Sequence, residues 1–421
     1  MSSIWRNRNF VLLFSAQIVS LTGSGVTTVG LALFAWQLTG GPSAAAVVGN
    51  ALMLRILAFL LFSQPAGVLA DRWDRRKMLI TSDVARCALV GLFPFITAVW
   101  QVYALVFAIN AVTAFFTPAY DASIPDVVGK DDYVGAVSLS RVAVDVENVA
   151  APALAGLLVA FVGVRWVFWF DAATYLASAA LVIATVFPAR TPQATPAFSA
   201  RAFLKEATHG TRVLLREPSL RQALALSFAE ATAGAAAIVV TVVYVRDVLR
   251  GTNAAVALAM ASVGVGSALV ALALARITGR SEERVRGVAA LHGLRHRWAQ
   301  RALLGGGLVL GVALLPGALV PSFVLFAILW MLNGAGQALI AIPSSTLLVE
   351  HTQEGERGRA YAAHFALTHF FWLIAYPAVG HAAVRWGAPA TFTAAGGVCL
   401  IVTVIAAAIG SGKVQPHRHA Q

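Results

Sequence analysis

Charge and cysteine are what this sequence has least of. Only 12% of its 421 residues are Asp, Glu, Lys or Arg, against 59% hydrophobic, and the mean hydropathy is +0.76. A soluble globular domain carries roughly a quarter charged residues, so that class is excluded. The two cysteines, Cys87 and Cys399, lie far apart inside apolar runs, which excludes a disulfide framework and a Cys-based metal motif. Gly-x-Ser-x-Gly, His-Glu-x-x-His and a nucleotide loop are also missing, so the chain does not read as an enzyme and implies no cofactor. Gly264-Val-Gly266 falls within an apolar run, where a phosphate site has no place. No small-residue cleavage site follows the opening MSSIWRNRNF. The apolar stretch after it is too long for a signal peptide and reads as a retained first helix. Acids are outnumbered by Lys and Arg, 19 to 31, for a net charge of +12. In a soluble chain that excess suggests nucleic acid. Here no nucleic-acid module is present, and the bases fall in alternate connections.

What the chain does have is a series of apolar runs of about 20 residues, the length of a membrane-crossing helix. Twelve spans are expected, near 10–38, 45–70, 78–99, 102–124, 138–161, 165–187, 220–246, 254–276, 301–319, 322–348, 358–382 and 388–410. The fold expected is therefore an all-α membrane protein of twelve transmembrane helices. Most Lys and Arg fall on the side of the N-terminus, and Arg165, Arg246, Arg250 and Arg385 are the few opposite. Basic connections stay in the cytoplasm, so both termini are expected there. A polar interval near Ala189–Leu220 divides the chain. The expected organisation is one six-helix bundle over 1–188, a linker over 189–219, a second bundle over 220–412 and a tail over 413–421. The halves echo each other weakly: Leu38-Thr39-Gly40-Gly41 closes the first span much as Leu249-Arg250-Gly251-Thr252 closes the seventh.

The most charged connection is Gly67–Leu79, GVLADRWDRRKML. Its spacing resembles the loop 2–3 motif of the major facilitator superfamily, Gly-x-x-x-Asp-Arg-x-Gly-Arg-Arg-x-x-Leu. Gly67, Asp71, Arg72, Arg75, Arg76 and Leu79 match, and Asp74 replaces the second glycine. The basic loop over 276–301 occupies the equivalent place in the second half without that spacing. The resemblance implies two pseudo-symmetric six-helix bundles holding a substrate between them near mid-membrane. It also implies a monomer in a bacterial cytoplasmic (inner) membrane, with Gly67, Asp71, Arg72, Arg75 and Arg76 as a gating motif. Asn148–Gly156, NVAAPALAG, is similar to the exporter motif Gly-x-x-x-Gly-Pro-x-x-Gly-Gly. Pro152 and Gly156 match, Ala151 and Ala155 are small substitutes, and Glu147 stands where the first glycine belongs. The full-length pattern resembles the branch of drug, macrolide and siderophore exporters.

Four spans carry polar residues at helical spacing, and such faces turn toward protein or water rather than lipid. They are Gln17, Ser20, Ser24 and Thr28 in span 1; Asn110, Thr113, Thr117 and Asp121 in span 4; Ser227, Glu230, Gly234 and Thr241 in span 7; and Asn333, Gln337 and Ser344 in span 10. From these, Gln17, Ser24, Thr28, Asn110, Thr117, Asp121, Glu230, Asn333 and Gln337 are the expected substrate cavity. Spans 1, 4, 7 and 10 line the pathway in the superfamily, so pattern and resemblance coincide. Arg55, Asp83, Arg86, Arg141, Asp145, Glu147 and Asp171 also fall within apolar runs or near their ends. Asp83 with Arg86 and Arg141 with Asp145 stand at pairing distance along a helix. Asp121 and Glu230 have no such partner. They, with Asp145 and Glu147, are the candidates for carboxyls that take and release a proton.

Histidine is uncommon in a bilayer and is the commonest metal-ligating side chain. His364 and His369 both fall in span 11, but five residues apart they point about 140° from each other. A metal site there needs Asp145, Glu147 or another carboxylate from a neighbouring span. His417 and His419 in the tail add a weak second hint. This combination resembles a nickel-resistance group of the superfamily. The primary expectation is thus a proton-coupled exporter of small molecules in the lipid bilayer, and the alternative is a nickel or cobalt exporter.

Overall fold

The structure, a computed structural model, describes residues 4–187, 200–284, 288–319, 322–352 and 354–410. Within the helices a few side chains, including those of Asp71, Arg141, Asp145, Pro152 and Gly156, lie outside the description, as do His417 and His419 of the tail. The described residues are helical with short connections and no strand. In order they form α1 (Arg8–Thr39), α2 (Ser43–Arg72), α3 (Arg75–Val90), α4 (Val99–Val162), α5 (Val164–Ala184) and α6 (Ala200–Arg216). Then follow α7 (Pro218–Val243), α8 (Asn253–Arg284), α9 (Val288–Leu314), α10 (Phe323–Glu350), α11 (Glu354–Trp386) and α12 (Ala388–Gly410). Eleven helices among the described residues are long and apolar enough to cross a membrane. The expected fifth span, 138–161, is the second limb of α4.

Local chemistry sets the ends. Asn7 caps α1 by accepting from the backbone N–H groups of Asn9 (3.1 Å) and Phe10 (3.2 Å). The helix stops at Gly40, which adopts the left-handed conformation at φ 72°, as helix-ending glycines do. Asp74, the departure from the superfamily motif, is the N-cap of α3 and accepts from the Lys77 N–H at 3.1 Å. Its side chain satisfies one of the donors left over at a helix start. The third span is shorter than its expected 78–99. Helix α3 ends at Val90, and a 3-10 turn over Phe93–Phe95 follows, because Pro94 has no N–H to continue the ladder. The expected break between spans 4 and 5 falls at Gly129, φ 75° and ψ 178°, where the two helical limbs grouped as α4 meet at a kink.

The chain clusters into two units. Unit 1 holds 1–198 together with 238–264 and 376–388. Phe10, Leu13, Met78, Leu79, Tyr120 and Ile124 are buried in its core. Where α2 meets the end of α11 the packing is backbone to backbone: a Cβ at Gly49 would strike the Tyr376 carbonyl, and one at Gly380 the Ala45 carbonyl. A π-helical turn over Tyr244–Val248 follows α7. It sets the Arg246 guanidinium 4.4 Å over the Trp36 ring and lets the Trp36 indole donate to Asp247 at 3.0 Å. Trp100, Trp166, Trp169 and Trp386 are exposed at the end opposite the N-terminus, and Trp5 and Trp73 at the near end. Amphipathic rings collect at membrane–water interfaces in this way.

Unit 2 holds 199–237, 265–375 and 389–421. Small residues let its helices close up: Gly306 and Gly336 face each other between α9 and α10, and Gly266 of α8 meets the Met331 backbone. This is how helices pack where lipid removes the hydrophobic drive between them. Helix α6, inside the interval read from sequence as a linker, lies against the start of α11. Gly210 abuts the Arg359 backbone, and His209 Nε2 is 3.2 Å from Glu356 Oε1.

Candidate functional site: a polar cavity in unit 1

Unit 1 contains a cavity of about 440 Å³, a size suited to a small organic molecule. α1 contributes Gln17, Ser20, Ser24, Thr27 and Thr28, which recur every three or four residues and so share a face. α4 supplies Asn110, Thr113, Thr117 and Asp121 from its first limb and Glu147 from its second. Arg55 comes from α2, Arg86 from α3, and Asp171 and Tyr175 from α5. Phe93, Phe116, Tyr120 and Tyr133 add aromatic wall.

Several of these polar groups turn back on their own helix. Ser24 donates to the Ser20 carbonyl (2.9 Å), Thr28 to Ser24 (3.1 Å), Asn110 to Val106 (2.8 Å) and Thr113 to Ile109 (2.8 Å). Such bonds satisfy one donor each while leaving the oxygens able to accept from a guest. Other bonds tie helices together. Tyr120 donates to Gln17 Oε1 at 2.7 Å, the hydroxyls of Ser24 and Tyr175 lie 3.0 Å apart, and Thr27 donates to Asp171 Oδ2 at 2.6 Å.

The charged groups divide by depth. Asp121 and Arg55 are exposed and Glu147 is half-buried, while Arg86 and Asp171 are only 2% and 1% exposed. Arg55 Nη1 lies 3.4 Å from Thr28 Oγ1, and its charge acts on Glu147. Arg86 is ion-paired to Asp83, as the three-residue spacing anticipates, and Asp83 Oδ2 accepts from Ser178 at 2.7 Å. The Arg86 guanidinium is also stacked between rings, 4.1 Å from the Phe116 centroid and 4.4 Å from that of Tyr175. Two glycines of α1 make room for the acids. A Cβ on Gly23 would overlap Thr174 Oγ1 and Asp171 Oδ1, and one on Gly25 would overlap Ala151 and Glu147 Oε1.

Of the residues expected from sequence, Gln17, Ser24, Thr28, Asn110, Thr117, Asp121 and Glu147 line this cavity. Glu230, Asn333 and Gln337 belong to unit 2. There Glu230 is half-buried on α7, and Gln337 donates to Asn333 Oδ1 at 2.6 Å. The side chain of Asp145 falls outside the description. Arg55, Arg86, Asp171 and Tyr175 join the wall although the expected cavity omitted them. The signal for three of them was available, since a charge within an apolar run has to face something polar.

The motif residues sit at helix ends. Gly67 and Arg72 are on α2, Arg72 exposed, and the Asp71 side chain is outside the description. Arg75 is buried: Nε donates to the Ala70 carbonyl at 3.2 Å, and Nη1 reaches both the Ala122 carbonyl and Asp126 on α4. Arg76 donates to the Ile183 carbonyl at the end of α5. These two arginines therefore bind the α2–α3 corner to the ends of two neighbouring helices. On α11, His369 Nδ1 donates to the Phe365 carbonyl at 2.8 Å, and His364 Nε2 is buried with no hydrogen-bond partner among the described residues. Among the described residues no three of His, Cys, Asp and Glu gather as metal ligands.

A bundle of membrane-length helices around a polar cavity, with ionisable groups enclosed in its wall, defines an integral membrane transport protein. Comparison with known proteins gives the group. The profile of the Major Facilitator Superfamily matches residues 13–294 and 293–420, and the chain belongs to that superfamily. It is 24% identical over 417 residues to the MFS-type transporter YfiS of Bacillus subtilis, covering 95% of this chain and 93% of that one. It is 29% identical over 154 residues to macrolide efflux protein A of Streptococcus pyogenes, covering 35% of this chain and 37% of the relative. The fold is that of a bacterial homologue of the human lysosomal transporter Spinster, at a TM-score of 0.73 with 14% identity and 96% of each chain covered. A POT family transporter in complex with 5-aminolevulinic acid superposes at 0.74 with 10% identity, again over 96% of each chain. The chain is thus a multi-pass membrane transporter.

Proposed function

We propose that this transporter is an exporter of small organic molecules, driven by protons moving the other way through an alternating-access cycle. The observation that carries the reading is the cavity wall: hydroxyls and amides for hydrogen bonding, aromatic rings for an apolar body, and ionisable groups enclosed by membrane helices. Three carboxyls, on Asp121, Glu147 and Asp171, face two guanidinium groups, on Arg55 and Arg86. That acidic surplus favours a guest with a cationic end, since a charge of opposite sign offsets the cost of bringing an ion out of water. The partial likeness to macrolide efflux proteins supports export of a bulky weak base over uptake. A carboxyl that binds either a proton or the guest's cation, but not both, links the two fluxes.

In this reading the protein works as a monomer in the cytoplasmic membrane of a bacterium, with both termini in the cytoplasm and two six-helix halves over 1–188 and 220–412. Asp71, Arg72, Arg75 and Arg76 act as the cytoplasmic gate. Inside-out vesicles holding an imposed proton gradient test it. Erythromycin, ethidium and Ni²⁺ are added in turn, and the gradient is followed with a pH-sensitive dye. We expect erythromycin or ethidium to dissipate the gradient, and Asp71→Asn to lose most of that response at normal membrane abundance. A gradient untouched by either compound counts against the reading, and dissipation by Ni²⁺ alone replaces it with metal export.

A further inference from the structure

We propose that Asp171 is the carboxyl that carries the coupled proton, a residue outside the set that sequence pattern selects for that task. The inference rests on the proton-coupled reading above and identifies the group that performs it.

Asp171 lines the cavity and yet is 1% exposed. Among the described residues its carboxyl bonds only to hydroxyls: Thr27 donates to Oδ2 at 2.6 Å, and Thr174 lies 3.4 Å from Oδ1. The Thr174 hydroxyl is better directed at the Asp171 backbone carbonyl, 2.7 Å away, so Oδ1 is the oxygen with capacity to hold a proton. No guanidinium is bonded to it. The nearby cation, Arg86, is already held by Asp83 and fixed between the rings of Phe116 and Tyr175. Asp83, Arg86 and Asp171 together sum to one negative charge when all are ionised, and to zero when one proton is present. An unbalanced charge within a bilayer is costly, so this group stores a proton whenever water is excluded.

Among the described residues no other counter-charge faces it. On the packed helices the titratable or charged groups facing Asp171 are Asp83, Arg86 and Cys87 on α3, Glu147 on α4 and Tyr175 on α5 itself. α1 presents only hydroxyls and Gly23, and the turn over Phe93–Phe95 presents none. Asp121 is exposed and Glu147 half-buried, so a guest in the cavity can reach both. They suit the guest's cationic end, whereas Asp171 suits the proton. The step is a simple transfer. The O–H bond at Asp171 Oδ1 breaks toward a cavity water when a cationic guest and its hydration enter, and it re-forms from water of the opposite compartment after the guest has left.

Infrared pH-difference spectra of the purified, reconstituted protein test this without knowledge of the substrate. The wild type should show a protonated-carboxyl C=O band that titrates. Asp171→Asn should remove it, while Asp121→Asn and Glu230→Gln should leave it. Thr27→Val deletes the one short bond to the carboxyl and should shift the titration midpoint of that band, a readout that also serves if Asp171→Asn folds poorly. In the vesicle assay with ethidium, Asp171→Asn should lose gradient dissipation by at least tenfold yet still exchange ethidium down its own gradient, and Asp171→Glu should restore coupling. Persistence of the band or of dissipation in Asp171→Asn, or an unmoved midpoint in Thr27→Val, overturns the assignment. Failure of the wild-type vesicles alone overturns proton coupling itself.

Discussion

Arg86 shows how single side chains hold this cavity together. It is 2% exposed, paired with Asp83 and enclosed by two aromatic rings. Removing one partner of a buried pair leaves the other charge uncompensated, at a cost of about 3–5 kcal/mol. Arg86→Leu is therefore expected to lower the unfolding midpoint of the detergent-solubilised protein strongly, and adding Asp83→Asn should recover much of the loss. Equal midpoints for the single and double variants would mean that the pair does not hold the wall. The three-residue spacing of Asp83 and Arg86 made this partnership legible in the sequence, because both ends lie on one helix. The bond between Thr27 and Asp171 was not legible. Its partners stand on α1 and α5, 144 residues apart, and only folding brings them together. For the same reason sequence pattern singled out Asp121 and Glu230 as proton carriers: no base stands at helical spacing from either in the sequence, but spacing says nothing about enclosure.

At the scale of elements, most helices lie close to where hydrophobic runs place them, since run length and turn residues mark a membrane span well. The misplacements have local causes. Pro94 ends the third span early, and spans 4 and 5 break where expected but meet directly, with helix on both sides, at the Gly129 kink. Its backbone, φ 75° and ψ 178°, lies in a region that side-chain-bearing residues avoid at about 1–3 kcal/mol. Nothing lies within 4 Å of a Cβ added there, so Gly129→Ala isolates the backbone cost from crowding. A fall in the unfolding midpoint is expected, with the cavity side chains unchanged. An unaltered midpoint would show that the kink relaxes freely. The helical 200–216 stretch was hidden by its polarity, which reads as linker until α11 supplies a surface for Gly210.

For the whole molecule, superfamily membership was legible from one charged connection, because few spacings satisfy so many positions at once. The distribution of bases predicts a sidedness that can be measured. In a cysteine-free background, single cysteines at Trp73 and Gly41 should react with a membrane-impermeant maleimide from opposite faces. Trp73 should react only in inside-out vesicles and Gly41 only in intact cells. Both positions fall between helices, at the end of α2 and before its start; Trp73 is exposed, and although Gly41 is buried, the place of its Cβ is open. Reaction of both from one face would remove the basis for placing the N-terminus in the cytoplasm.

The π-helical turn over Tyr244–Val248 is in effect an inserted residue that the helix has absorbed. Regular winding advances about 100° per residue, so one surplus residue rotates all that follows by that amount. Excising a single residue from the turn would restore ordinary winding and swing the Asp247 carboxylate away from the Trp36 indole it now accepts from. The grip between the ends of α1 and α7 thus depends on a count of residues as much as on their chemistry, and shortening the segment by one should loosen it without changing either partner.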